Sequence, residues 1–248
     1  MNKISVYIIA YNEADKIKAA LESVLWADEI ILADSYSTDG TKEIAGEMGA
    51  KIVQIPFKGF GDLRNQAIEA CSHEWIFSLD SDERCTPEVH SEILNVIQHA
   101  RADVYFIPRK NFFMGKEIRH CGYYPDYRQP QLFRKGTMTY THEQVHEGFV
   151  LQTSKPPEYL KNAIWQIPFK NSEELLNKIN RYSSLGALKL AEKGKSGGMA
   201  TALSHGIWGF IQVFFIKMGF LDGWAGFVLA LSNFEATFYK YLKLHEKK

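Results

Sequence analysis

Trp75-Ile-Phe-Ser-Leu79, followed at once by Asp80-Ser-Asp82, governs the reading of this chain. A run of five mostly apolar residues has the length of a buried strand, and packing alone gives it no reason to end in two carboxylates. Ionised carboxylates are costly to desolvate and repel one another unless a cation lies beside them. A hard divalent cation carrying phosphate oxygens supplies that charge, because Mg²⁺ and Mn²⁺ take one or two carboxylates plus substrate phosphates. The alternative is a solvated turn in which Asp82 or Thr86 caps a helix starting near Pro87.

The flanking sequence alternates in period. Ile4–Ala10, Glu29–Ala33, Lys51–Gln54 and Val104–Ile107 read as further strands. Between the strands, Ala14–Trp26, Thr41–Met48, Asp62–Ala70 and Pro87–Arg101 carry apolar residues at helical spacing. Strands alternating with helices predict an α/β fold with a mostly parallel sheet flanked by helices. Ligands of such sheets bind beyond the carboxyl ends of the strands. Polar residues cluster at those ends: Tyr11-Asn12-Glu13, Asp34-Ser35 and Asp80-Ser-Asp82-Glu83. Within Asp34–Thr41, Asp39 is expected to cap the helix at Thr41, and Asp34 to accept from a ribose hydroxyl or a base N–H.

Beyond Pro108 the alternation fades into a segment rich in Tyr, Arg and Gly, with a short antiparallel strand expected at Gln131–Arg134. A long helix follows from Ser172 to about Lys193, then apolar helical segments at Ile207–Leu221 and Trp224–Phe234. Two domains are expected: 1–170, with an acceptor loop over about 109–150, and a helical region over 171–248. The chain of 248 residues has zero formal net charge. Residues 1–150 nevertheless carry 16 Lys and Arg against 22 Asp and Glu, while 151–248 carry 13 against 7. No basic stripe with interleaved aromatics occurs in the acidic part, which argues against nucleic acid as a partner. Cys71, Cys85 and Cys121 lack metal-ligand spacing and read as small buried thiols. With no secretory signal ahead of Ile4, a cytoplasmic location is expected.

Tyr11-Asn12-Glu13, Asp34–Thr41, Gly59-Phe-Gly61 with Arg64-Asn65, and Leu79–Arg84 together resemble the family 2 glycosyltransferases of GT-A fold, a Rossmann-like architecture. His142–Phe149, Asn180–Ser183 and Leu221–Gly226 resemble the bacterial subgroup that builds lipopolysaccharide inner core, whose best-known members are β-1,4-glucosyltransferases acting on a heptose. The resemblance implies a nucleoside-diphosphate sugar donor, a UDP-sugar first. Ala10, Tyr11, Glu13 and Asp34 would surround the base, Asp80 would hold the ribose, and Asp82 would bind Mg²⁺ or Mn²⁺. Arg64 would add a second cation, unless it is an exposed helix arginine.

Inverting transfer needs a base for the acceptor hydroxyl. The resemblance puts it at Glu147, with Glu143 the runner-up; the alternative is that either glutamate only pairs with a neighbouring cation. His142-Glu-Gln-Val-His146 matches a zincin pattern letter for letter, but it lacks the helical apolar periodicity that pattern requires. Trp165 stands where the subgroup often has histidine. It is expected in the core, with stacking on a sugar as the alternative.

Ile207–Leu221 reads as too short, and too interrupted by Gln212 and Lys217, to span a membrane. Its aromatics and the flanking lysines suit a helical hairpin lying on an anionic membrane surface, against the alternative of a core or dimer helix pair. The expectation is thus an inverting, metal-dependent glycosyltransferase, peripheral at the inner face of the cell membrane. It would move glucose or another hexose to a lipid-linked glycan such as lipopolysaccharide core. The rivals are a sugar nucleotidyltransferase and a non-catalytic carbohydrate- or membrane-binding module.

Overall fold

Ile4–Ala10 (β1) is buried at all seven positions because it lies in the middle of a seven-stranded sheet. The computed structural model describes residues 2–123, 127, 129–141 and 148–247. The chain divides into two compact units, Met1–Arg109 with Asp126–Gln166, and Lys110–Pro125 with Ile167–Lys248.

In the first unit, β1 leads through α1 (Ala14–Glu22) to β2 (Glu29–Asp34), then through α2 (Thr41–Glu47) to β3 (Lys51–Gln54). α3 (Phe60–Ala70), β4 (Trp75–Asp80), the two-residue β5 (Glu83–Arg84), α4 (Pro87–Gln98) and β6 (Val104–Phe106) follow. β3, β2, β1 and β4 pair in parallel, in that order. β7 (Arg109–Phe113) and β8 (Lys116–Ile118) pair as an antiparallel hairpin through Asn111↔Ile118, in the second unit. β9 (Pro130–Arg134) is antiparallel as expected and inserts between β4 and β6. β10 (Met138–Tyr140) and β11 (Phe149–Leu151) form a separate hairpin, β12 (Glu158–Tyr159) adds an edge beside β6, and β13 (Ile164–Phe169) begins by pairing with β5. The sheet is mostly parallel, and both of its faces are packed.

The helices stop where local chemistry stops them. α1 ends four residues before the expected Trp26, as the Ser23 hydroxyl donates to the Ala20 carbonyl at 2.7 Å. α4 starts at Pro87 under a Thr86 cap, whose hydroxyl accepts the Val89 N–H. Trp165 is not in the core: it is 44% exposed, because adjacent strand residues face opposite sides and the fully buried Ile164 takes the inward one.

In the second unit, α5 (Ser172–Glu192) is capped by Asn171, α6 spans Met199–Ile211, and α7 runs Gly223–His245. α6 starts eight residues before the expected Ile207 and passes into a wider π turn, Gln212–Ile216. The expectation of a segment too short to span therefore fails on length. Met199–Ile216 is long and apolar enough to cross a membrane by length and composition, with mean hydropathy 1.4 and 22% of it buried. α6 and α7 approach closely at Gly206 and Gly209, where a Cβ would lie 3.0 Å from Phe234 and Asn233.

The three cysteines are free and buried, and burial pushes each thiol up to about 12. Iodoacetamide at pH 8 should leave all three unmodified in the folded protein and label all three in urea, read by intact mass.

Glu83 is fully buried, and its carboxylate accepts from Arg109 Nε, from the Asp80 N–H at 2.9 Å and from Gln131 Nε2 at 3.0 Å. Burial lifts this carboxyl to about 7; Arg109 resists the rise, while Asp80 and Asp82 add to it. Glu83→Gln would turn an amide N–H₂ toward one of these donors. It should cost about 2–3 kcal/mol in urea unfolding, with Glu83→Leu costing more because Arg109, the Asp80 N–H and Gln131 then lose every acceptor oxygen.

Candidate active site

Three neighbouring strands deliver their carboxyl ends to one edge of the first unit's sheet. Ala10 at the end of β1 pairs in register with Asp34 at the end of β2, and Ile9 with Asp80 at the end of β4. The loops leaving these strands are laced together. The Asn12 N–H donates to Ser37 Oγ at 2.9 Å, Asn12 Oδ1 accepts the Thr38 N–H, and the Glu13 N–H donates to Thr41 Oγ1. Asn12 and Tyr36, neither of them glycine, hold left-handed backbone at φ 55° and 61°. Asp39 does more than cap its own helix. It accepts from the Thr41 N–H and hydroxyl, and from the Ala14 N–H that opens α1. Burial works against its charge, but these donors outweigh it and hold the carboxyl below the usual range.

Asp34 is closed to solvent. Its Oδ2 accepts the Ser37 N–H at 3.0 Å and Gln54 Nε2 at 3.2 Å, while its Oδ1 has no partner among the described residues. A buried carboxylate oxygen left unpaired is costly. A ligand N–H could satisfy it, but only if a neighbouring side chain moves aside.

Asp80 and Asp82 are half-buried on the turn between β4 and β5. Arg64 donates to Asp80 Oδ1 at 2.8 Å and to Ser78 Oγ at 3.2 Å, and its guanidinium lies 5.5 Å from the Tyr140 ring centroid. At 3% exposure it is not the exposed helix arginine of the alternative reading. Its neighbours on α3 reach the strand that leads into 142–147. Asn65 exchanges two hydrogen bonds with the Tyr140 backbone, at 2.9 Å each. A Cβ on Gly61 would sit 2.0 Å from the Thr141 carbonyl oxygen, so only glycine fits there. Thr141 and Gly148 are joined backbone to backbone.

The proposed bases Glu147 and Glu143, with His142 and His146, lie outside the described residues. Of the other expected residues, Ala10, Asp34, Asp80 and Asp82 share the strand-end edge. Tyr11 is exposed beside them, and Glu13 begins α1 with an ion pair to Lys16 at 3.6 Å. Sequence alone does not set Glu83 apart from the neighbouring Asp80 and Asp82. The signal available was a carboxylate placed two residues before a buried Cys85.

A sequence profile described as Glycosyl transferase family 2 matches residues 5–148. An uncharacterized glycosyltransferase of Rickettsia bellii is 31% identical over 98% of this chain and 86% of its own. The lipopolysaccharide core biosynthesis glycosyltransferase LpsC of Rhizobium meliloti is 26% identical over 98% of this chain and 92% of its own. The crystal structure of S. aureus TarS 1–349 shares the fold, at TM-score 0.50 and 18% identity, over 94% of this chain and 80% of that one. With this GT-A architecture and these motifs in order along β1 to β5, the chain belongs to glycosyltransferase family 2.

Proposed function

We propose that this glycosyltransferase transfers a hexose, with inversion, from a nucleoside-diphosphate sugar to a lipid-linked glycan of the lipopolysaccharide-core kind. The observation that carries the donor half is the meeting of Ala10, Asp34 and the Asp80–Asp82 pair at the ends of three adjacent parallel strands. The acceptor half is supported by the likeness to LpsC along nearly all of both chains.

Asp34 Oδ1 would accept a base N–H, with Ala10, Tyr11 and Glu13 around the base and UDP the first nucleotide to test. Asp80 would accept from a ribose hydroxyl, held in place from behind by Arg64, whose charge goes to Asp80 rather than directly to phosphate. Asp82 fits Mg²⁺ or Mn²⁺, which prefer oxygen ligands. Among the described residues no group of three His, Cys, Asp or Glu gathers, so phosphate oxygens and water would complete the shell. Such a metal supplies charge neutralisation for the leaving diphosphate. Glu147, or Glu143 in its place, would take the proton of the attacking acceptor hydroxyl. The exposed Trp165, opposite Arg84 on β5, offers a face for an acceptor sugar. The enzyme would work at the inner face of the cell membrane.

A screen of nucleotide sugars with Mn²⁺ or Mg²⁺, read as nucleoside diphosphate released, tests the class; consumption of pyrophosphate would instead show a nucleotidyltransferase. Removal of metal by EDTA should abolish turnover, and Mg²⁺ alone should restore it. Asp82→Asn should lower kcat about 10²–10³-fold with an unchanged melting temperature. Trp165→Ala should raise the acceptor KM several-fold, about 1 kcal/mol of lost stacking, and leave the donor KM unchanged.

A further inference from the structure

The turn joining α6 to α7 is unlike the surface of a water-soluble helix pair. Phe215, Ile216, Met218, Phe220, Leu221 and Trp224 are each 47–58% exposed, six large apolar side chains within ten residues. Between Lys193 and Phe234 there is one acidic residue, Asp222, and it is 4% exposed. Its carboxylate is turned inward. It accepts the N–H groups of Arg119 at 3.2 Å and His120 at 2.9 Å, faces His120 Nδ1 at 3.1 Å, and takes the Cys121 thiol at 3.6 Å.

That latch brings cations to the turn. Lys116 Nζ donates to the Asp222 carbonyl at 2.6 Å, and the Cys121 N–H donates to the Lys217 carbonyl at 2.9 Å. The Lys217 side chain lies over Gly122, where a Cβ would meet its Cδ at 2.8 Å. Arg119 leaves 71% of its side chain in solvent, beside Glu117. Exposed apolar side chains beside Lys116, Lys217 and Arg119, with Asp222 hidden and Glu117 28% exposed against Arg119, match an anionic lipid surface: rings and chains enter the acyl boundary and cations meet the headgroup phosphates. A second copy of this chain is a poorer occupant, because two-fold pairing of the patch would set Lys217 and its neighbours against themselves.

Depth is limited by what lies behind the turn. Asn233 donates to the Gly209 carbonyl at 2.9 Å, and Glu235 follows two residues on. Ten helical residues separate Gly223 from Asn233, about 15 Å of rise, or about half of a bilayer's hydrocarbon thickness. Spanning would carry Asn233 and Glu235 through the hydrocarbon as α7 returned alongside α6.

We infer that the Phe215–Trp224 turn, latched by Asp222 to the Lys116–Cys121 hairpin, is a monotopic insertion element that seats the protein in one leaflet of an anionic membrane. Its purpose rests on the lipid-linked acceptor proposed above, but the binding does not.

The full-length protein should co-sediment with vesicles of phosphatidylcholine plus phosphatidylglycerol, bind less to phosphatidylcholine alone, and keep a cysteine introduced as Leu221→Cys out of reach of a thiol reagent trapped inside the vesicles. Phe220→Asp/Leu221→Asp should weaken partitioning by about tenfold, and Lys217→Glu should weaken it several-fold with a smaller salt dependence. Both variants should keep the wild-type melting temperature. Three results would overturn the inference: undiminished binding by the double variant, labelling of the Leu221→Cys variant from the vesicle lumen, or a solution dimer that the double variant dissociates. Vesicle binding is read without a sugar donor, so failure of the donor screen would leave it standing, and the reverse holds too.

Discussion

The first unit depends on one buried cation. Arg64 is 3% exposed and spends two donors on Ser78 and Asp80, while its guanidinium lies over the Tyr140 ring. Gly61, Arg64 and Asn65 stand three and four residues apart on α3, so they share one face of the helix. That face does two jobs. Arg64 fixes the carboxylate at the end of β4, while Gly61 and Asn65 fix the backbone of Tyr140 and Thr141. A glycine, an arginine and an asparagine at that spacing are therefore a single mechanical part linking the end of β4 to the end of β10.

Behind it stands a second buried charge. Glu83 satisfies three donors with two oxygens, and one of those donors is the Asp80 backbone itself. Three carboxylates within four residues would otherwise repel one another. Arg64 compensates Asp80, and Arg109 compensates Glu83. Two arginines thus set the turn's shape, and the third carboxylate stands half-buried on it.

Periodicity made the sheet legible. Ile4–Ala10 and Lys51–Gln54 are strands over the very residues that predict them. Partners distant in sequence were not legible. Nothing local to Arg64 shows that Ser78 and Asp80 await it, so burial and exposure looked alike. Trp165 misled because a large aromatic suggests a core, yet its neighbour Ile164 takes the inward place on β13. α6 ran longer than expected since Met199–Gly206 mixes small and polar residues. Its apolar periodicity is weak, and the close approach at Gly206 and Gly209 supplies what pattern does not. Asp34's unpaired oxygen is visible only once Ser37 and Gln54 are seen to occupy the other.

Charge balance hides all of this. A formal net charge of zero, with a sequence pI near 7.1, describes neither half of the molecule. Electrostatic influence in water fades over about 8 Å at physiological ionic strength, so a ligand feels only the charges near it. A nucleotide diphosphate approaching the Asp80–Asp82 turn meets carboxylates and would need a cation to bind. An anionic surface approaching the Phe215–Trp224 turn meets Lys116, Arg119 and Lys217, and the only acid between Lys193 and Phe234 has been drawn inward to the backbone of Arg119 and His120. The same residue type is thus placed for opposite purposes. On the β4–β5 turn Asp80 is held half-exposed by a buried arginine, and on the helical turn Asp222 is buried while Lys217 stays at the surface.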